Sequence, residues 1–190
     1  MKKIKKISDF NFKFKKVLVR LDLNVPTNNK KVSDDSRIKA SIPTIKEIIK
    51  RGGTPLIASH FGRPKGKSVK KYSLKIVSKS LSKHLGQKVL FSKNCIGKNV
   101  QELINDCDSG QTILLENLRF HKEEQLNDTK FAKQLSQYAD IYINDAFSVS
   151  HRKHASIDKI TKFLPSGIGK NMENEILNLN KYLYKPKKPV

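Results

Sequence analysis

The stretch PLIASHFGRPKGKS, Pro55–Ser68, joins a short apolar run to a loop rich in glycine and charge. Its second half approaches the phosphate-wrapping pattern G-x-x-x-x-G-K-[ST], in which successive backbone N–H groups face one phosphate. Only Arg63, Pro64 and Lys65 separate Gly62 from Gly66, one residue too few. Pro64 also has no N–H to give. The segment therefore reads not as a nucleotide cradle but as a buried strand, Pro55–Ser59, opening into a polar loop that begins with His60, Gly62 and Arg63.

The same unit recurs along the chain. Short apolar runs at Val17–Leu21, Pro55–Ser59, Lys88–Phe91, Thr112–Leu115 and Ile141–Asn144 alternate with helical patterns. That alternation marks βαβ units and a parallel sheet covered on both faces. The expected fold is α/β, a three-layer Rossmann-like sandwich with a mainly parallel sheet. Ile38, Ile42, Ile45 and Ile49 share one helical face after the cap-rich SDDS, with Gly52–Gly53 as its stop and Pro43 marking a kink or a first turn. Ser73 is placed to cap a second helix ended by Gly86, and Asp128 a third that turns Phe131, Leu135 and Tyr138 inward. A last helix around 172–184, carrying Ile176, Leu179 and Leu183, runs into KPKKPV, which reads as a linker. Residues 1–184 are thus expected to form one domain and 185–190 to begin a linker.

The chain has 190 residues, 37% of them hydrophobic, enough for one core of ordinary size. Its longest apolar runs fall far below the roughly 18 residues of a membrane span. The basic N-terminus MKKIKKISDFNFKFKK lacks the apolar segment of a secretory signal, so a cytoplasmic location is expected. Cys95 and Cys107, without C-x-x-C spacing, read as idle thiols. Lys+Arg 39 against Asp+Glu 17 gives a net charge of +22, which raises a polyanion such as RNA as an alternative partner. Of those 39, six are arginines, leaving 33 lysines spread over the whole length, as solvated faces would have them. The arginines carry more information, because a planar fork of donors grips phosphate or carboxylate in two places.

In open α/β sheets, ligands bind outside the carboxyl ends of the strands. The residues just after the apolar runs are Asp22 and Asn24; His60, Gly62 and Arg63; Glu116, Asn117, Arg119 and His121; then Asp145, His151, Arg152 and His154. Arg37 opens the first helix, where backbone N–H groups already favour an anion. Singly, Arg37 could pair with Asp34 or Asp35, Arg63 could be an exposed turn residue, and Arg119 could bridge to Glu123. Together, four arginines and two or three histidines on one rim predict an anion site. HRKH, His151–His154, lacks a third ligand for a metal, and no metal is expected. IYIND, Ile141–Asp145, ends in an Asp expected to be structural.

Taken in order, VLVRLDLNVP, SHFGRPKG, LLENLRFHKEE, YINDAFSVSHRKHAS and LPSGIGKNMENEI closely resemble phosphoglycerate kinase, from about Val17 to Val190. The resemblance implies the N-terminal half of that two-domain fold and transfer of a phosphoryl group between 1,3-bisphosphoglycerate and ADP, giving 3-phosphoglycerate and ATP. It further implies that Asp22 and Asn24, with Leu23 between them, meet the hydroxyl and carboxylate end of the acid. His60, Phe61 and Gly62 belong by the same pattern to the acid pocket, and His60, Arg63, Arg119, His151 and Arg152 hold the remote phosphate. Arg37 takes the catalytic role of neutralising the phosphoryl group in transit. Two departures stand out: Ser148-Val149-Ser150, where Gly-Thr-Ala is usual, and Lys170-Asn171, where an apolar pair or Arg-Leu is usual. The Gly-Ala-Lys and Gly-Gly-Gly-Asp motifs of the family's nucleotide domain do not occur in the 190 residues. Mg-ATP or Mg-ADP is therefore expected of the complete enzyme but not of this chain, which by itself should bind the acid and catalyse nothing. Nucleic acid and membrane are not expected partners.

Overall fold

A computed structural model describes the backbone of residues 4–184 and the side chains of residues 4–181. The expected linker at 185–190 and the side chain of Leu183 lie outside the described residues. Six parallel strands form one sheet in the order β5-β6-β4-β1-β7-β8, with β1 Lys16–Arg20, β4 Thr54–Ala58, β5 Leu90–Phe91, β6 Ile113–Leu114, β7 Ile141–Asn144 and β8 Ser166–Ile168. A separate antiparallel hairpin joins β2 Thr27–Asn28 to β3 Lys31–Val32.

Period-two alternation distributes the strand side chains between two cores. Val17, Val19, Ile57 and Ile143 pack with Ile38, Ile42, Ile45 and Ile48 of α1 Ser36–Lys50 and with Val77 and Leu81 of α2 Lys75–Leu85. Leu18, Leu56, Ala58 and Tyr142 face the other way, against Val100 and Ile104 of α3 Lys98–Asn105 and Phe131, Ala132 and Leu135 of α5 Thr129–Ser136. The three-layer sandwich follows. The single-turn α4 Lys122–Gln125 and the long α6 Lys170–Tyr184 complete the α-helices among the described residues.

The expected helices form with some differences of detail. Pro43 sits inside α1 and not in its first turn, with its ring exposed. Ile48 is fully buried where the periodicity pointed to Ile49, which is only half-buried. Asp128 caps α5 by accepting from the Phe131 amide at 2.7 Å. At α2 the capping is shared: Ser73 accepts from Lys75 N–H, while the Glu116 carboxylate, from the loop after β6, takes the Leu74 N–H at 2.8 Å. In α6, Ile176 is half-buried, whereas Leu179 is exposed. Strand β8 has no alternating pattern of its own; its central Gly167 lets the Phe10 ring press onto the backbone, where an added Cβ would lie 2.4 Å from a ring carbon.

Because the strands are parallel and in register, Arg20 of β1 lies beside Ala58 of β4 and Asn144 of β7. The segments leaving these strands emerge at one edge. Gly62 turns the first of them with φ of 59°, and a Cβ there would sit 2.3 Å from the Tyr72 ring. Gly62→Ala is accordingly expected to lower stability by about 1–3 kcal/mol, through strained backbone and a displaced ring. Urea unfolding checks it, and an unchanged midpoint would mean that the loop can take another path.

Candidate functional site

The loops at the rim are clamped together by one fully buried amide. Asn117 Oδ1 accepts from the backbone N–H of Phe61 (3.1 Å) and of Arg119 (3.0 Å), and Nδ2 donates to the carbonyls of Phe61 (2.7 Å) and Tyr72 (2.9 Å). All of its hydrogen-bonding capacity along the amide plane is used, so three chain segments share one anchor. Gly62 N–H donates to Asn24 Oδ1 at 2.8 Å, and Gly66 N–H to the Arg119 carbonyl at 3.2 Å. Lys67 N–H turns back to Pro64. The amides of Gly62, Gly66 and Lys67 thus point at protein acceptors and Pro64 has none to give, so no run of successive amides is left to wrap a phosphate.

Around this frame stand the charges. Arg119 is buried, donates from Nη1 to the Gly62 carbonyl at 2.8 Å, and keeps Nε buried with no partner among the described residues. Burial first, then the neighbouring Arg152 and Arg20, push its pKa down to about 10, with Arg63 adding to the repulsion. It remains a cation at neutral pH. His60, 4% exposed, is pushed down to about 2 by burial and by Arg20, Arg119 and Arg152. His154 is pushed down to about 4 by burial and by Arg119, Arg20 and Arg152. Its Nδ1 lies 3.8 Å from Glu124 Oε1, but a ring that stays neutral at pH 7 makes this a polar contact and not an ion pair. Burial pushes the wholly enclosed Glu124 carboxyl up, opposed by Arg20 and by hydrogen bonds from Ser156.

Arg37 stands to one side of that cluster. Its guanidinium meets Asp22, whose Oδ2 also accepts from Ser148 Oγ at 2.5 Å. Both border a cavity of about 360 Å³ that Asp145, Phe147 and Asn171 also line. Asp145 caps α6 through Met172 N–H at 2.8 Å, the structural role expected of it, and burial pushes its carboxyl up.

Of the residues singled out in the sequence, His60, Arg63, Arg119 and Arg152 come together, while Asp22 and Arg37 form the neighbouring pair. Asn24 joins them through Gly62, and His151 lies at the exposed outer edge. Leu23 and Phe61 are core residues, 0% and 5% exposed, so they shape the loops without presenting side chains. Neither dull pairing of Arg37 or Arg119 occurs: the partners are Asp22 and Gly62, not Asp34, Asp35 or Glu123. Arg20, Glu124 and Ser156 were not legible as site residues. A charged residue closing an apolar strand, as Arg20 does, is the one signal that could have drawn attention to it.

A sequence profile described as "Phosphoglycerate kinase" matches residues 7–190. The chain belongs to the phosphoglycerate kinase family. It is 49% identical, over 97% of its length, to the phosphoglycerate kinase of Wolbachia pipientis subsp. Culex pipiens (strain wPip), of which it covers 46%. It is 48% identical, over 96% of its length, to "Phosphoglycerate kinase, cytosolic" of Triticum aestivum, also covering 46%. The solved phosphoglycerate kinase of Pyrococcus horikoshii OT3 superposes on 97% of the chain with a TM-score of 0.88 at 34% identity, over 47% of that protein. The chain therefore spans about half the length of the curated relatives it matches. Where glycine is usual in phosphoglycerate kinase, Ser148 brings a hydroxyl that engages Asp22. Lys170 anchors the start of α6, with its N–H on Thr44 Oγ1 at 2.9 Å and Nζ on Glu47 at 2.8 Å.

The depressed histidines, His60, His154 and His121, make stability depend on pH. An unfolded His60 takes a proton below about pH 6.5, whereas the folded one refuses it until about 2, so its contribution is complete above pH 6.5 and is lost on acidification. The limit is about 1.4 kcal/mol per pH unit for one such group. In urea titrations between pH 7 and 4, the native protein should lose stability more steeply than His60→Gln, by up to one proton's worth of slope. Parallel slopes would show that His60 protonates freely in the fold.

Proposed function

We propose that this chain provides the acid-substrate half of a phosphoglycerate kinase. It would hold 3-phosphoglycerate or 1,3-bisphosphoglycerate while a phosphoryl group moves between the acid's carboxyl end and ADP. The observation that carries the reading is the crowding of Arg20, Arg63, Arg119 and Arg152 about one half-closed edge, with Arg119 Nε buried and lacking an acceptor. Like charges so placed repel one another in a medium less polarisable than water, and a dianionic phosphate removes that repulsion while accepting their hydrogen bonds. Arg63, Arg119 and Arg152, with His60 and His151, would hold the phosphate remote from the chemistry. Asp22 and Asn24 would orient the hydroxyl and carboxylate end, on loops fixed by Leu23, Phe61 and Gly62. Arg37, half exposed beside Asp22, would turn its fixed charge to the equatorial oxygens of the group in transit, where positioning and charge stabilisation supply most of the catalysis.

The segment Gly62–Ser68 does not fit a nucleotide, since the Gly62, Gly66 and Lys67 amides are already donated to protein acceptors and Pro64 has no N–H to give. The magnesium complex of ADP or ATP would have to be presented to this rim from elsewhere in the working enzyme. A cytoplasmic setting accords with this reading.

Thermal unfolding tests the proposal. Excess 3-phosphoglycerate should raise the melting temperature, by the equivalent of about 2.7 kcal/mol at a hundredfold excess over Kd, and Arg63→Ala should abolish the rise. Arg63 is exposed, so that change should leave the fold intact. The 190-residue polypeptide should transfer no phosphoryl group to ADP or from ATP in a coupled assay. A shift that vanishes steeply with salt but survives Arg63→Ala would point to diffuse lysine charge and overturn the acid pocket.

A further inference from the structure

Arg20 closes strand β1 with a side chain that is 1% exposed, and its guanidinium bonds to three segments of the rim. Nε donates to Ser156 Oγ at 3.1 Å, Nη1 donates to the Leu21 carbonyl, and Nη2 meets His60 Nδ1 at 3.1 Å. Ser156 Oγ in turn donates to Glu124 Oε1 at 2.6 Å, and Ser156 N–H donates to Glu124 Oε2 at 2.9 Å. The direction of each bond is dictated by chemistry. A guanidinium has donors only, so the contact with His60 requires a bare Nδ1, and a neutral imidazole with a bare Nδ1 carries its hydrogen on Nε2. The Ser156 hydroxyl, receiving from Arg20, has its own hydrogen left for Glu124, the one fully buried carboxylate of the cluster.

We infer that Arg20 is a positioning residue that locks His60 as the neutral Nε2–H tautomer, and that Glu124, through the Ser156 hydroxyl, locks Arg20. The inference rests on the acid-pocket reading for its role in binding, though not for its geometry. The charged and titratable groups acting on His60 are Arg20, Arg119, Arg152 and His154, and all of them oppose a second proton on the ring. Glu124 reaches it only by way of Ser156 and Arg20. His60 therefore gives the pocket a directed hydrogen-bond donor and no charge. A phosphate monoester changes charge near pH 6, so the buried part of the pocket, where the cations are arginines and His60 is neutral, keeps a constant charge while its ligand titrates; the exposed His151 lies outside this lock. A protonatable His60 would instead make the pocket's charge vary across that same range.

The test is long-range ¹H–¹⁵N correlation of histidine rings in the labelled 190-residue chain between pH 5 and 8, with His60 assigned by the signal lost in His60→Gln. The expected result is an unprotonated Nδ1, a protonated Nε2 and no titration, without any ligand. A Nδ1–H tautomer, or shifts that move with pH, overturns the lock. Ser156→Ala cuts the link between Arg20 and Glu124 while leaving both charges in place, and should bring His60 to averaged tautomers or restore its titration. An unchanged His60 spectrum in Ser156→Ala overturns the part assigned to Glu124. Adding 3-phosphoglycerate should shift the His60 Nε2 signal in the native chain. If the lock is present but 3-phosphoglycerate changes nothing, the acid-pocket reading fails and the lock stands; if the acid binds to a titrating His60, the reverse holds.

Discussion

A guanidinium withdrawn from water must find an acceptor for its donors, and at Arg20 that demand organises the whole rim. The acceptors come from the end of its own strand, from the loop after β4 and from the segment after β7, and that segment is held in turn by Glu124 from α4. Four stretches of chain far apart in sequence are thereby fixed about one cation. Asn117 does the same for backbone where Arg20 does it for charge. Removing a partner from either would strand buried polar groups, which costs more than the lost bond itself.

This arrangement separates two kinds of positive charge. Among the described residues every lysine is exposed or half-buried on the outside, where solvent screens it. The arginines are concentrated where the sheet ends, and Arg119 gives up part of its basicity to be there, through burial and the proximity of Arg152 and Arg20. Such a cluster is unfavourable by itself; under the proposed function, the folding free energy it costs would reappear as affinity for an anion. Glu124 keeps the cost finite by placing one carboxylate beneath the cations, out of a ligand's reach.

Neutral imidazoles fit the same logic. His60 and His154 stand among arginines, and a further proton there would meet both burial and like charge. Their value to the site is direction: an N–H or a lone pair at a set place. The hydroxyl of Ser148 has a comparable effect on Asp22, holding the carboxylate oxygen that Arg37 also contacts and so setting how that pair faces the cavity beside it.

The sequence by itself determined the class of fold and the edge at which chemistry collects. Buried parallel strands must be apolar on both faces, so runs such as Ile141–Asn144 announce themselves, and in a parallel sheet the residues following each run share one side. Strand β8 and the β2–β3 hairpin escaped notice, because two or three residues about a glycine or a turn carry no periodicity. Motif order was also enough to suggest the family. Only the tertiary structure decided that Arg37 pairs with Asp22, that Leu23 and Phe61 turn inward, and that Arg20, Ser156 and Glu124 form one hydrogen-bonded line to His60. Pairings over more than a hundred positions depend on strand order and register, and these are properties of the assembled sheet that no local stretch of sequence encodes.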